Sequence, residues 1–351
     1  MIDFENYSPT KILFGINSHK KLNSLVKEFG PNCLIVTGKT SVKKFGYLKM
    51  IKNCLTNKKI YVFDKIPQDA KSNEVNEGIK LCRNKKIDFI IALGGGSVID
   101  ASKAISLYKS IIKIEKFIGI NLDKAKNTIP LIAIPTTAGT GSEVTKGAII
   151  TNSISKFKSG VRGNQLFPKM AIIDPKFTLS LPKKVVVETG FDTFTHLFES
   201  YLAKKSNIYT EIISINGLRI ILNTLPKILK NPKNLNLKSK IMFCSLLGGL
   251  NVANASTCLP HRLQQAMTDK RFLYKISHAR GLSIVYPAWL EEVYPFARHK
   301  ITKLKKELKI KSKKYNFILD FIKKIGINDK NYSIDENIIN NFTNNVSGNL
   351  E

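Results

Sequence analysis

Long apolar runs are missing from this chain. No stretch approaches the roughly 18 consecutive apolar residues that a membrane-spanning helix needs. The N-terminal residues Met1–Glu5 carry two acids and no hydrophobic segment of the kind found in a secretory signal peptide. These absences argue against a membrane partner, and we expect a cytoplasmic protein.

Cysteine is scarce, and its spacing is irregular. The count is odd, no two cysteines form a CxxC pair, and their positions are scattered over Cys33, Cys54, Cys82, Cys244 and Cys258. This usage argues against a disulfide framework and against a structural zinc site built from thiolates.

Arginine is rare among the basic residues. The net charge is +30, from 56 basic and 26 acidic residues, and only seven of the basic residues are arginines. Such a charge can indicate nucleic-acid partners, but those sites favour clustered arginines and aromatics, and neither occurs here. We therefore predict no nucleic-acid partner and keep a non-catalytic basic nucleic-acid-binding protein as the alternative of another class. The basic run Lys303–Lys314 is interpreted as the solvated face of a helix.

The first half of the chain alternates short apolar runs with polar segments of helical periodicity. Helices are predicted at Asn73–Lys85 and Val98–Lys109, and Ala148–Thr151 is a further strand or a hairpin arm. The predicted strands are Cys33–Thr37, Ile60–Asp64, Asp88–Leu93, Leu131–Pro135 and Met170–Asp174. Strand and helix in alternation indicate an α/β domain with a mostly parallel sheet, which we place at residues 1–180.

After Leu181 the periodicity becomes helical almost throughout. The predicted helices are Lys183–Lys205, Thr210–Lys230, Lys238–Ala255, Leu282–Tyr294 and Phe317–Lys324. With 351 residues, the chain is long enough for two domains. We therefore predict an all-helical second domain at residues 181–351, with the boundary near residues 176–183.

Two glycine-containing loops follow predicted strands. The first is Gly94-Gly95-Gly96-Ser97, which precedes a predicted helix containing Asp100. Glycines at a helix N-terminus can bind a phosphate group. The same sequence could also form an ordinary structural turn. The second runs from Pro135 to Glu143. Because open parallel sheets bind ligands at the carboxyl ends of their strands, the pair favours a nucleotide site. Candidate cofactor residues of the second loop region are Thr136, Thr137, Thr140, Ser142 and Thr145.

The turn that follows the predicted strand Cys33–Thr37 bears on the choice of cofactor. It reads Gly38-Lys39-Thr40-Ser41, where many dinucleotide enzymes carry an acid that binds the ribose diol. A lysine with two hydroxyl groups suits a 2′-phosphate better, so NADP(H) is favoured over NAD(H). The alternative is an ordinary exposed turn.

Three of the five histidines occur in a pattern suited to a metal. Asp192 and His196 are four residues apart on a predicted helix, which places both side chains on one face. His261 and His278 flank a loop-like stretch of the helical half. One carboxylate and three imidazoles can bind Fe²⁺ or Zn²⁺, although each histidine taken alone could be an ordinary hydrogen-bonded side chain.

Taken together, these motifs resemble the iron-containing, or group III, alcohol dehydrogenases over nearly the whole chain. The segments that carry the resemblance are SPTKILFG (residues 8–15), GGGSVIDASKA (94–104), PTTAGTGSEVT (135–145) and GFDTFTHLFESYL (190–202). The resemblance implies an α/β dinucleotide-binding domain followed by an all-helical metal domain. It also implies that Asp192, His196, His261 and His278 are both metal ligands and catalytic residues. Gly95, Gly96 and Ser97 would hold the pyrophosphate, Thr136, Thr137 and Thr140 would line the cofactor site, and Lys158 would reach the ribose.

Two features depart from the usual family pattern. His261 and His278 are 17 residues apart, about three more than is usual, with the extra residues within Thr268–Ile276. The segments at Leu259–Gln264 and Tyr286–Trp289 resemble a less common branch that reduces phosphonate-bearing aldehydes such as phosphonoacetaldehyde.

The predicted function is hydride transfer between NAD(P)H and a small carbonyl substrate. Arg262 and Arg280 lie next to predicted ligands and could bind an anionic aldehyde, or could instead pair with acids of the chain. A glycerol-dehydrogenase-like or sugar-phosphate-cyclase-like enzyme of related architecture is the alternative within enzymes. We also expect a homo-oligomer.

Overall fold

The computed structural model describes residues 2–122, 127–267, 276–327 and 346. The chain forms two compact units. One, the α/β unit, contains Ser8–Thr137 and Gly141–Ser180. The other, the helical unit, contains Met1–Tyr7, Ala138–Thr140 and Leu181–Glu351. The described N-terminal residues up to Tyr7 and the middle of the second glycine loop thus belong to the helical unit.

A six-stranded parallel sheet forms the centre of the α/β unit, which confirms the predicted fold class. Its strand order is β1-β8-β5-β4-β2-β3, and every neighbouring pair is parallel. The strands are β1 Lys11–Phe14, β2 Asn32–Gly38, β3 Lys59–Ile66, β4 Phe89–Gly94, β5 Leu131–Pro135 and β8 Met170–Ile173. Two further strands, β6 Gly147–Thr151 and β7 Lys158–Arg162, pair antiparallel, so the segment at Ala148–Thr151 is a hairpin arm.

Both faces of the sheet are covered, which explains the continuous apolar runs. In β4, Ile90 and Ala92 belong to one hydrophobic core, whereas Phe89, Ile91 and Leu93 belong to the core on the opposite face. Side chains alternate between faces along a strand, so a strand buried on both sides must be apolar at every position. The helices of this unit are α1 Leu22–Leu25, α2 Ser41–Lys44, α3 Tyr47–Asn53, α4 Ser72–Lys85 and α5 Gly96–Ile105.

Six helices lie in the described part of the second unit, all of them after Leu181. They are α6 Lys183–Leu202, α7 Ile208–Ile228, α8 Leu235–Ala255, α9 Leu259–Ala266, α10 His278–Leu308 and α11 Asn316–Ile325. An aromatic cluster packs α6 against α10, where Phe191 and Phe198 make edge-on contacts with Tyr286 and Trp289. These phenylalanines therefore hold α6 and α10 together through a shared apolar contact.

Helix α10 differs most from its prediction. The sequence favoured a short helix at Leu282–Tyr294, but the structure shows 31 residues that continue through Pro287 and Pro295. A proline costs the helix one hydrogen bond, and the buried side chains of Tyr286, Trp289 and Leu290 offset that cost by packing. The helix ends at Leu308, where Lys309 adopts a left-handed conformation, so only the first half of the basic run Lys303–Lys314 is helical.

Among the described residues, no single helix has the length and apolarity needed to cross a membrane. One pair, α8 and α9, meets the criterion by length and composition when taken together, and it is bent by 97°.

Candidate metal centre and dinucleotide loops

Helix α6 carries a polar stripe. Asp192, His196 and Glu199 recur at intervals of four and three residues, so they lie on one face of the helix. All three side chains are buried. Helix α8 approaches this face closely at Gly248, where an added Cβ would lie 3.2 Å from the Cβ of His196. A glycine at this position therefore lets α8 cover the stripe.

The other two predicted ligands come from separate helices and converge on Asp192. His261 lies in the first turn of α9, after Cys258, and His278 is the first residue of α10. The Oδ1 atom of Asp192 lies 3.6 Å from Nε2 of His196, 3.6 Å from Nε2 of His261 and 3.3 Å from Nε2 of His278. One donor atom each from Asp192, His261 and His278 falls within 4.8 Å of the others. The rings of His196 and His261 stack with centroids 4.9 Å apart.

Several atoms at this point are buried without a hydrogen-bond partner. They include Asp192 Oδ1 and His261 Nε2, which lie 3.6 Å apart, and also Nδ1 of His196, whose other ring nitrogen is the one that faces Asp192. Buried polar atoms are normally hydrogen-bonded, and an orphaned carboxylate oxygen beside an orphaned imidazole nitrogen is costly. A divalent cation bound by both atoms would remove that cost. The donor set of one carboxylate and imidazoles also matches the preferences of Fe²⁺ and Zn²⁺, so the residues present fit such an ion.

The electrostatics of the cluster follow from its burial and from its one carboxylate. Burial acts to raise the pKa of Asp192, but the neighbouring His196 and His278 hold it well below its usual range. Burial lowers the pKa of His196 to about 4, which leaves this imidazole neutral and able to bind a metal. Although burial opposes it, the carboxylate of Glu199 raises the pKa of His261 to about 9. When His261 is protonated on both ring nitrogens, the proton on Nε2 lies towards Asp192, which is the side on which a metal ion would bind.

Two residues that the sequence analysis missed hold the outer nitrogens of these rings. The carboxylate of Glu199 accepts from His261 Nδ1 at 2.9 Å. The side-chain oxygen of Gln264 contacts His278 Nδ1. The only signal in the sequence was periodicity, because Glu199 continues the stripe of α6 and Gln264 lies one turn after His261.

The remaining two histidines lie elsewhere. His19 pairs with Asp174 at 2.5 Å inside the α/β unit, and His299 is exposed on α10.

The two glycine loops lie side by side at the ends of neighbouring strands β4 and β5. The amide of Thr136 donates to the carbonyl of Gly94 at 2.9 Å, and a Cβ at Gly95 would lie 3.1 Å from Oγ1 of Thr137. Helix α5 begins at Gly96, so the amides of Gly96 and Ser97 precede the first intrahelical hydrogen bonds, which start at Val98. This arrangement provides main-chain donors and close access for an anion.

Several predicted cofactor residues have their polar atoms engaged within the chain. Asp100 accepts from the hydroxyl of Ser142 and, at 3.0 Å, from the amide of Ile149. The Nζ atom of Lys158 donates to Asp69 at 2.9 Å, and the hydroxyl of Ser97 contacts a main-chain carbonyl. These hydrogen bonds within the chain stabilise the conformation of the loops.

Lys103 is a further buried group that the sequence analysis did not single out. It donates to Ser142 Oγ at 2.8 Å, to Thr145 Oγ1 at 3.0 Å and to the carbonyl of Gly147 at 2.8 Å. It therefore ties α5, which follows the first glycine loop, to the segment that follows the second. Of the remaining predicted residues in this unit, Lys39, Thr40 and Ser41 are exposed after β2.

The two arginines predicted to bind an anionic substrate have partners in the helical unit. Arg280 Nε donates to Glu188 Oε1 at 3.0 Å, and Arg262, which is buried, donates to the hydroxyl of Ser256 at 3.1 Å. The longer spacing between His261 and His278 was placed within Thr268–Ile276, and residues 268–275 lie outside the described part of the chain.

Comparison with known proteins covers both units. The profile of the iron-containing alcohol dehydrogenases matches residues 9–175, and that of the C-terminal part of this family matches residues 186–344. A probable NADH-dependent butanol dehydrogenase of Bacillus subtilis is 31% identical over 83% of this chain and 76% of its own length. An NADPH-dependent aldehyde reductase of Escherichia coli is 28% identical over 83% of this chain and 76% of its own length. The crystal structure of an iron-containing alcohol dehydrogenase from Thermotoga maritima superposes with a TM-score of 0.86 and 29% identity, covering 98% of this chain and 92% of that one.

Proposed function

Because the chain belongs to the iron-containing alcohol dehydrogenase family, whose members are NAD(P)-dependent oxidoreductases acting on alcohols, we propose that it interconverts a small aldehyde and its alcohol at a metal held by Asp192, His196, His261 and His278. The observation that carries the proposal is the meeting of side chains from three helices around atoms that lack a protein partner. The ion would be Fe²⁺ or Zn²⁺, since both accept this donor set.

The chain's own residues would act mainly by placing and shielding the reactants. When bound, the ion supplies Lewis-acid polarisation of a carbonyl group and the dinucleotide supplies or accepts a hydride. Asp192 contributes the negative charge of the metal site, and burial of His196 and His261 keeps water from competing for these two imidazoles. The amides of Gly96 and Ser97 would bind the pyrophosphate at the start of α5.

The cofactor preference is proposed from the turn after β2. The relatives divide on this point, because the proteins named above include NADH-dependent and NADPH-dependent enzymes. Gly38 leaves space beside the strand end, and the exposed Lys39 adds a positive charge near it. We therefore favour NADP(H), because the 2′-phosphate gains from a cation and would be repelled by an acid.

For the substrate, the contacts of the two arginines favour a neutral aldehyde over an anionic one. Arg280 already pairs with a carboxylate, and withdrawing Arg262 from its buried position would cost both packing and a hydrogen bond. The anionic aldehyde of the phosphonate-reducing branch remains the second candidate. If Arg262→Ala raises KM for an anionic aldehyde far more than for a neutral one of equal length, the anionic substrate is favoured.

The test of the proposed function combines metal analysis with activity. Purified protein should contain or take up about one Fe²⁺ or Zn²⁺ per chain and should oxidise NADPH in the presence of small aldehydes. His261→Ala and His278→Ala should lose metal and activity together, whereas His299→Ala, which alters an exposed histidine of the same unit, should retain both. Full activity in metal-free His261→Ala would overturn the proposal, and turnover of polyols alone would favour the glycerol-dehydrogenase-like alternative.

A further inference from the structure

Glu199 is completely buried next to the proposed metal centre. It follows Asp192 by seven residues and His196 by three. It therefore lies on the same face of α6, about two turns from Asp192 and about one turn from His196. A buried carboxylate is expensive unless it is paired or richly hydrogen-bonded. Its contacts therefore indicate why the chain keeps it there.

Every hydrogen-bond partner shown for Glu199 is a donor. Both carboxylate oxygens lie 2.9 Å from Nδ1 of His261. Oε1 accepts from the phenol of Tyr286 at 3.1 Å, and Oε2 accepts from the amide of Cys258 at 2.8 Å. The donors come from the segment that precedes α9, from α9 itself and from α10. The carboxylate thus joins three separate parts of the helical unit to α6.

The contact with His261 determines which ring nitrogen is available to a metal. A carboxylate can only accept, so Nδ1 of His261 must carry a proton, and the metal-binding lone pair is then on Nε2. Nε2 is the atom that lies 3.6 Å from Asp192 Oδ1 and that has no hydrogen-bond partner. Glu199 therefore aims the free nitrogen of His261 at the oxygen of Asp192.

His278 provides an internal comparison. Its Nδ1 atom contacts the side-chain oxygen of Gln264, which is an uncharged amide. Gln264 can orient the ring of His278, but it adds no negative charge. Glu199 orients the ring of His261 and also makes it a better electron donor, because a carboxylate partner raises the basicity of a ligating imidazole.

We propose that Glu199 is a positioning residue that holds His261 in the Nδ1-protonated form and strengthens its bond to the metal. This inference rests on the proposed function, because it needs a metal at Asp192 and His261. It assigns to Glu199 a role in metal affinity that does not require contact with substrate or cofactor.

The main test is the zinc affinity of Glu199→Gln, measured on the full chain by competition with a chromogenic chelator. Glutamine has nearly the same shape but no charge, and its amide group would face donors. We expect zinc to bind about 10 to 100 times more weakly than in the wild type, the range found when such outer partners are removed. Affinity within about threefold of the wild type would overturn the proposal.

Two matched variants separate the carboxylate from the rest of its network. Tyr286→Phe removes one donor to Oε1 and leaves the contact with His261, so its loss should stay below about fivefold, the net worth of one hydrogen bond. Glu199→Asp keeps the charge and should recover part of the affinity that Glu199→Gln loses. Equal losses in Tyr286→Phe and Glu199→Gln would show that the network as a whole, and not the charge on His261, sets the affinity.

Histidine nitrogen NMR of zinc-loaded wild type tests the same idea without a substitution. Nδ1 of His261 should carry a proton that exchanges slowly with solvent, and Nε2 should carry none. An unprotonated Nδ1 would overturn the proposal even if Glu199→Gln fails to fold. If the wild type binds neither zinc nor Fe²⁺, the proposed function and this inference fail together; if it binds Fe²⁺ alone, the same comparison is made with Fe²⁺. If the wild type binds zinc tightly and Glu199→Gln binds it equally well, only the inference fails.

Discussion

Both units of this protein bury two acids close to a predicted binding site, but they compensate the negative charge differently. In the α/β unit, Asp100 and Glu143 share the buried ammonium group of Lys103, whose Nζ lies 3.7 Å from Asp100 Oδ1. In the helical unit, three imidazoles surround Asp192. One of the nitrogens that face it, Nε2 of His261, has no hydrogen-bond partner. The first cluster carries its own cation, whereas we propose that the second receives one from solution.

The difference separates two kinds of buried charge. A cluster that is neutralised by its own lysine is complete as folded and stabilises the loops it connects. A cluster with orphaned donor atoms is incomplete as folded, and under the proposed function its missing partner is the metal ion. Four predictions test this contrast, in order of decreasing expected effect.

The largest effect is expected at Asp192. Asp192→Ala removes the carboxylate that, among the described residues, all three histidines approach. Metal binding should therefore be lost and activity should fall by about a thousandfold or more, since a metal contributes several kcal/mol to such a transition state. Metal content and NADPH oxidation should fall together. The metal-free variant should unfold with about the same free energy as the metal-free wild type. A variant that binds no metal but keeps its activity would contradict the difference between the two clusters.

Lys103→Met tests the cluster that carries its own cation. It leaves Asp100 and Glu143 buried without an ammonium group, which should reduce the free energy of unfolding by about 3–5 kcal/mol. Zinc affinity in the helical unit should be unchanged. Lys109→Met alters an exposed lysine a few residues further on and should change stability by less than about 0.5 kcal/mol. Urea unfolding of the two variants decides the matter, and equal stability would contradict the role given to Lys103.

The pH dependence of stability sharpens the same point at Glu143. Burial raises the pKa of Glu143 to about 7, and its own backbone amide and Lys103 only partly oppose this effect. Between about pH 4.5 and 7 the folded protein therefore holds a proton that the unfolded chain has released, so this carboxyl makes the free energy of unfolding decrease as the pH rises.

Glu143→Gln should remove that decrease. Relative to the wild type, the variant should become more stable by up to about 3 kcal/mol between pH 4.5 and 7.5, since one unit of pKa is worth about 1.4 kcal/mol. Urea titrations at the two pH values give the difference directly. A stability difference that does not change with pH would show that Glu143 is ionised in the folded protein.

The smallest effect is expected at the cofactor turn. An added Cβ at Gly38 would lie 3.5 Å from its nearest neighbour, so a side chain can begin there, and Gly38→Asp places a negative charge at the end of β2. We expect kcat/KM for NADPH to fall about tenfold relative to NADH, which corresponds to about 1.4 kcal/mol of repulsion. Gly38→Ala controls for the side chain alone. A loss for NADPH that Gly38→Ala reproduces would point to shape and not to charge.

Sequence patterns predicted the parallel sheet well because its strands are local features. Continuous apolar runs such as Leu131–Pro135 were strands with the expected bounds. The patterns were weaker where packing overrides local preference. Helix α10 passes through Pro287 and Pro295 because buried aromatic residues hold it, and no short-range signal contains that information.

The candidate site shows the same division. Asp192 and His196 share a helix, so their common face could be predicted from spacing alone. The approach of His261 and His278 to Asp192 could not, because it depends on how three helices pack. Lys103 and Glu199 were overlooked because a lysine or glutamate in a helix usually points to solvent, and only the structure shows that both are buried.

By itself, the sequence determined the order of strands and helices, the two glycine loops and the family resemblance, since these depend on neighbouring residues and on short motifs. The tertiary structure alone decided which of the described polar groups find partners within the chain and which buried atoms do not. Lys103 reaches Asp100 within one helix, whereas Asp192 meets its imidazoles across three. Charge compensation depends on distances of a few ångströms in space, and a linear pattern of residues does not contain those distances.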